Sequence, residues 1–205
     1  MLQLPLQGPL AAAAPRSGVH LGAGQAGPVA LRLFRRTGTR IAVIGTVEAA
    51  QLIAVRAATA GAGVLVMTRR DGLWSAAVGS GPDSGISAPG PVAGPLAGRP
   101  GVIIDDRPEE SRSVGEVGAG QCRVDVRQPQ TSAELASFAN ADAVLLGRMS
   151  AELAAAIPAI FGVAPAHPAH LTSLADGTIA VVRRGALDYV TLDPTPAEAQ
   201  LLRTT

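Results

Sequence analysis

RIAVIGTVEAAQLIAVRAATAGAGVLVMT, residues 40–68, places two short apolar runs on either side of a helical stretch. The first run, Arg40 to Gly45, is apolar without alternation and ends in glycine. Residues 46–61 carry Leu52, Val55 and Thr59 on one face, with no glycine or proline before Gly61, which marks the stop. Residues 63–68 form the second buried run. Together they predict a β-helix-β unit, and strands this continuously apolar predict a parallel sheet covered on both faces.

On the N-terminal side, VHLGAGQAGPVALRLF (residues 19–34) contains Gly22-Ala-Gly24-Gln-Ala-Gly27, the G-x-G-x-x-G spacing of a dinucleotide-binding loop. That spacing has a mechanism only where a helix leaves the glycines and receives the pyrophosphate at its N-terminus. Here Val29, Leu31 and Leu33 alternate with period two, which predicts a strand, so the match is read as accidental. Leu2, Leu4 and Leu6 suggest a short opening strand.

On the C-terminal side, residues 79–100 hold Gly, Pro, Ser and Ala with hardly a charge and are read as a mobile loop. GVIIDD (101–106) is a third buried strand, and CRVDVRQ alternates Cys122, Val124 and Val126 like an edge strand. Thr131-Ser-Ala-Glu134 has capping-box spacing and opens a helix. AVLLG (143–147) is a further strand, followed by a helix that Pro158 kinks or ends. TIAVVRR and ALDYVTL form a hairpin turned at Arg183-Arg-Gly185-Ala186, and Pro194-Thr-Pro196 starts a short last helix. The expected architecture is a single Rossmann-like α/β domain over residues 1–205, with a mostly parallel sheet and an antiparallel C-terminal hairpin.

Composition narrows the chemistry. Aromatics are only 2% of the 205 residues, so the core is built from Ala, Val, Leu and Ile. All 17 basic residues are arginine, which excludes a Walker A lysine, a Schiff-base lysine and a lysine general base. Net charge is +1, so no general attraction to nucleic acid or anionic membrane is expected. Lone Cys122 makes no internal disulfide and sits at an inward strand position, as an inert thiol would. The N-terminus is a poor signal peptide. Glu48, Gln51 and Arg56 break the best membrane candidate, so no direct membrane span is expected.

Each candidate site has a structural alternative. The turn Gly45-Thr46-Val47-Glu48 is where a Rossmann-like sheet would hold a phosphate, and Arg69-Arg70 follows the next strand, where arginine can meet an NADP 2′-phosphate. Glu48, however, already complements the helix dipole and would repel a phosphate, so a helix start beside solvated arginines is preferred and no NADP or S-adenosylmethionine binding is expected. Asp105-Asp106, with Glu109-Glu110, could hold a hard divalent cation but is read as a solvated acidic loop. His167-x-x-His170 lacks a third ligand nearby, and no metal is expected. Trp74 is either a packing anchor or a partner contact, with packing preferred. No catalytic residues emerge.

The run from LPLQ through GVHLGAGQAGPVALRLFRRTGTRIAVIGTVEAAQLIAVRAATAGAGVLVMTRRDGLW resembles the C-terminal cytosolic portion of the E component (EccE) of type VII, or ESX, secretion systems. The similar elements are the LPL opening, a V-x-L-G turn before an apolar strand, the helix AAQLIAVRAATAGA, the VLV strand, and the Arg70-x-x-x-Trp74 spacing. The resemblance implies a non-enzymatic assembly or accessory subunit with no cofactor, docking on the B, C and D components, with Arg70 and Trp74 as partner contacts. Family members carry N-terminal transmembrane helices and this sequence does not, so a cytoplasmic relative is expected, peripheral at the inner face of the membrane through its partners. A homodimer is compatible with it. The competing expectation is a nucleotide-dependent reductase or transferase using the Gly45 turn with Arg69 and Arg70.

Overall fold

A computed structural model describes residues 18–79, 84–87, 100–107, 117–165 and 168–202. The opening strand expected at Leu2–Leu6 lies outside them. The described elements run β1 (Val19–Gly24), β2 (Gly27–Leu31), β3 (Thr39–Ile44), α1 (Glu48–Thr59), β4 (Gly63–Thr68), α2 (Asp71–Val78), β5 (Ser84–Ser87) and β6 (Gly101–Asp106). They continue with β7 (Gln121–Arg127), α3 (Ser132–Ala136), β8 (Ala143–Leu146), α4 (Ala151–Phe161), β9 (Thr178–Arg183), β10 (Ala186–Leu192) and α5 (Pro196–Leu202), with a 3-10 turn at Pro168–Thr172 between α4 and β9.

The fold is α/β, with all ten strands in one sheet of order β2-β1-β10-β9-β8-β3-β7-β6-β4-β5. From β8 to β5 every pairing is parallel, and from β8 back to β2 every pairing is antiparallel. The predicted unit β3-α1-β4 forms, but its two strands are not neighbours. β7 and β6 lie between them, so at about 4.8 Å per strand their ends stand about 14 Å apart.

One face of the sheet packs on α1 and α2 through Leu52, Ile53, Val64, Val66, Trp74, Val102, Ile104 and Val124. Nine of the twelve residues of α1 are buried, and five of these are alanines, which let the helix lie close against the strands. The other face packs Ile44 and Leu146 against Leu135, Ile157 and Leu171 of α3, α4 and the 3-10 turn. Helix α4 continues through Pro158 to Phe161 and stops at Gly162 in the left-handed region (φ 66°), so the proline sits inside the helix and does not end it.

One expectation holds and two further ones change. The Gly22/Gly24/Gly27 stretch runs into a strand, as its alternation predicts: it is the β1-β2 hairpin, with Gly24 opposite Gly27, and no helix follows it. Residues 84–87, inside the expected loop, form an edge strand parallel to β4, while 80–83 and 88–99 lie outside the described residues. Strand β7 is internal, between β3 and β6, and not at an edge. The C-terminal hairpin forms as expected; Arg184 (φ 50°) and Gly185 (φ 75°) make its tight turn.

The antiparallel half is held by a close backbone contact, and Arg56 ties it to the helix layer. A methyl group added at Gly22 would stand 1.9 Å from the carbonyl oxygen of Thr191 on β10. Gly22→Ala is therefore expected to cost about 1–3 kcal/mol or more and to release the β1-β2 hairpin. Hydrogen exchange over residues 19–31 checks this; unchanged protection would contradict it. Arg56 on α1 donates from Nε and Nη2 to both carboxylate oxygens of Glu198 on α5, each at 2.8 Å, and from Nη1 to the carbonyl of His20 at 2.6 Å. The bond from Arg56 holds the Glu198 carboxyl down to about 2, against the opposing effect of burial.

Candidate functional site

In parallel sheets, ligands sit outside the carboxyl ends of the strands, where neighbouring connections leave toward opposite faces. Two such places exist here. At the first, β3 leads to α1 on one face, while its neighbours β7 and β8 lead to α3 and α4 on the other. The Gly45 turn at this point is closed by backbone. The Gly45 amide donates to the carbonyl of Arg127 at 3.0 Å, and the Gly147 amide to that of Ile44 at 2.7 Å. A methyl on Gly147 would meet the Gly45 oxygen at 2.8 Å, and one on Gly45 would meet the Arg148 oxygen at 2.9 Å. These glycines allow two turns to touch, and the Gly45 amide is already engaged.

Thr46 follows in the same turn, and Glu48 begins α1 with no side-chain cap formed by Val47. Arg69 and Arg70 lie at the end of β4, with β7 and β6 between it and β3. The structure does not bring the Gly45 turn and the arginine pair together, as a nucleotide site of the expected kind requires.

The second place is the carboxyl ends of β4, β6 and β7. β4 leads to α2 on one face and β7 to α3 on the other. A cleft of about 320 Å³ opens there, lined by Arg69, Arg70, Asp106, Arg107, Val126, Arg127 and Gln128. Asp106 accepts from the Thr68 hydroxyl at 2.9 Å, from Arg70 Nη2 at 2.5 Å and from the Trp74 indole N–H at 2.7 Å. Trp74 is fully buried, so its place is in packing and it presents nothing to a partner. Arg70 is half exposed and tied to Asp106, and Arg69 is exposed.

Behind the cleft, Asp105 is completely buried. It accepts from Arg107 Nη2 and Arg123 Nη2, both at 2.8 Å, and Arg127 Nη2 lies 3.4 Å away. Arg123 also donates to Asp125 at 2.9 Å. Burial pushes the Asp105 carboxyl up, but the bond from Arg107 and the charges of Arg127, Arg107 and Arg123 together hold it below the ordinary carboxylate range. The expected solvated acidic loop is thus a buried ion-pair network; Glu109 and Glu110 lie outside the described residues. Alternation in β7 arises from this network. Cys122, Val124 and Val126 face the apolar core, while Arg123, Asp125 and Arg127 face the carboxylates.

His170 packs edge-on against Tyr189, with ring centroids 5.8 Å apart, and His167 lies outside the described residues. Among the described residues, no three His, Cys, Asp or Glu side chains cluster as a metal site would need. Cys122 is buried, and loss of solvent pushes its thiol well up. No described helix is long and apolar enough to cross a membrane. No protein-family model and no curated protein matches the chain.

The sequence reading located Arg69, Arg70, Asp105 and Asp106 but missed Arg107, Arg123 and Arg127. Their signal is the alternation Arg123-Val-Asp-Val-Arg127, two cations about one anion on a single strand face, beside a strand that ends in Asp105-Asp106-Arg107.

Proposed function

We propose that this chain is a non-enzymatic assembly or accessory subunit of a type VII secretion complex. It works through protein contacts with the B, C and D components at the inner face of the cell membrane. The reading rests on the resemblance over the first third of the sequence. The observation that favours it is the engagement of the carboxylates at the cleft, the groups that base chemistry would need. Asp105 and Asp106 are held by arginines, the Trp74 indole and the Thr68 hydroxyl, an arrangement that builds a rigid sheet end. A carboxylate already bonded to two guanidiniums is a weak base, and general-base chemistry needs one poised near the working pH.

A nucleotide-dependent reductase or transferase is disfavoured by strand order. Its two recognition elements, the Gly45 turn and Arg69-Arg70, end on strands separated by β7 and β6. The test is an affinity pull-down of the tagged protein from the organism that encodes it, in mild detergent, read by mass spectrometry. Recovery of the B, C and D components is expected. Emergence alone, or with metabolic enzymes, would overturn the proposal.

A further inference from the structure

We infer that the cleft at the carboxyl ends of β4, β6 and β7 binds the phosphate group of a small phosphate-bearing ligand, with Arg69 and Arg127 as its principal donors. Three independent observations converge on this. The first is charge. Among the described residues, the cleft and the network behind it hold five arginines (69, 70, 107, 123 and 127) and three aspartates (105, 106 and 125). The surplus of two positive charges matches a phosphate, which carries about −1.5 to −2 at neutral pH.

The second is the unused donors of Arg127. Its side chain is 5% exposed and lines the cleft. Nη1 donates to the carbonyls of Asp105 and Val126 at 2.6 and 2.7 Å, while the buried Nε and Nη2 make no hydrogen bond; Nη2 has only the longer ion-pair contacts to Asp105 at 3.4 Å and Asp125 at 3.8 Å. A buried guanidinium that leaves two donors unmet is costly, and an oxyanion with several lone pairs is the natural complement of its fork. Arg69 on the rim is exposed and has no hydrogen bond or ion pair among the described residues. The third is place and size. The cleft lies where ligands of parallel sheets lie, and its volume of about 320 Å³ suits a small molecule.

The chain also carries its own reporter. Its single tryptophan, Trp74, donates to the same Asp106 carboxylate that holds Arg70. An anion that draws Arg70 toward itself loosens Asp106 and changes the environment of the indole.

Calorimetry with inorganic phosphate and pyrophosphate, alongside tryptophan fluorescence on the full chain, tests the site. One anion is expected to bind per chain, with the same midpoint by both readouts. Arg69→Ala, a change at an exposed side chain with no hydrogen bond or ion pair among the described residues, is expected to weaken binding at least tenfold. Arg127→Gln is expected to do the same if it folds. Arg184→Ala is the control. Arg184 lines a second basic cleft of about 310 Å³ with Arg32, Arg35 and Arg183, away from these strand ends. Loss of affinity in Arg184→Ala but not in Arg69→Ala would overturn the assignment. So would an equal small loss in both variants that disappears with salt, or no binding of either anion.

Discussion

Asp105→Ala is expected to lower stability by about 3–5 kcal/mol. Removing one member of a buried ion network leaves its partners uncompensated in a medium where a bare charge is expensive. Three guanidiniums converge on this carboxylate, and Arg107 and Arg127 are 3% and 5% exposed, so water cannot easily replace what is lost. Urea unfolding followed by circular dichroism checks the result. An unchanged midpoint would mean that the network contributes no net stability.

The same group sets an acid limit. Its carboxyl titrates lower in the folded chain than its ordinary value of 3.8, so its stabilisation is fully present above that value. It is lost as pH falls through the folded value. Glu198, held at about 2, acts in the same direction. Stability should therefore fall as pH drops from about 4 toward 2, and Asp105→Asn should flatten that limb. An acid limb of unchanged steepness in Asp105→Asn would contradict this.

Trp74→Ala is expected to cost about 3–5 kcal/mol by emptying a fully buried site between α2 and the sheet. Trp74→Phe separates two contributions. It retains most of the apolar volume but leaves Asp106 without its 2.7 Å indole donor, a loss of about 1–3 kcal/mol. Circular dichroism is the appropriate readout, because either change removes the only tryptophan. If Trp74→Phe is as damaging as Trp74→Ala, the hydrogen bond carries the effect. If neither shifts the unfolding midpoint, the indole is not the anchor its burial implies.

The fold class was legible because strands covered on both faces need long apolar runs, and β3, β4, β6 and β8 carry them in Ile41–Ile44, Val64–Met67, Val102–Ile104 and Ala143–Leu146. The C-terminal hairpin was legible because Gly185 permits a turn that few residues tolerate. Strand order was not legible. A β-helix-β pattern places two strands in one sheet, and no local signal in residues 40–68 states that β7 and β6 enter between them. Strand β7 was misplaced for a related reason. Alternating charge usually means that one face meets water, but here Arg123 and Arg127 meet Asp105 and Asp125 under cover. The same ambiguity hid half of the arginine cleft. Arg69 and Arg70 stand at a strand end where a ligand residue is sought, whereas Arg107 and Arg127 acquire meaning only when β6 and β7 are side by side.

Strand order also governs how the molecule comes into being. β3 and β4 are synthesised early, yet each waits for β7 or β6 to give it a neighbour in the centre of the sheet. β1 waits longer still, because Gly22 pairs with Leu192. Among the described residues, 18–79 contain a single native strand pair, the β1-β2 hairpin. Contacts this distant in sequence slow folding, since chain entropy is lost before they form. A nascent chain emerging from the ribosome would thus hold apolar strands with open edges until its last third is made. Until then those edges are open to pairing with other chains, the exposure that makes such intermediates prone to aggregate.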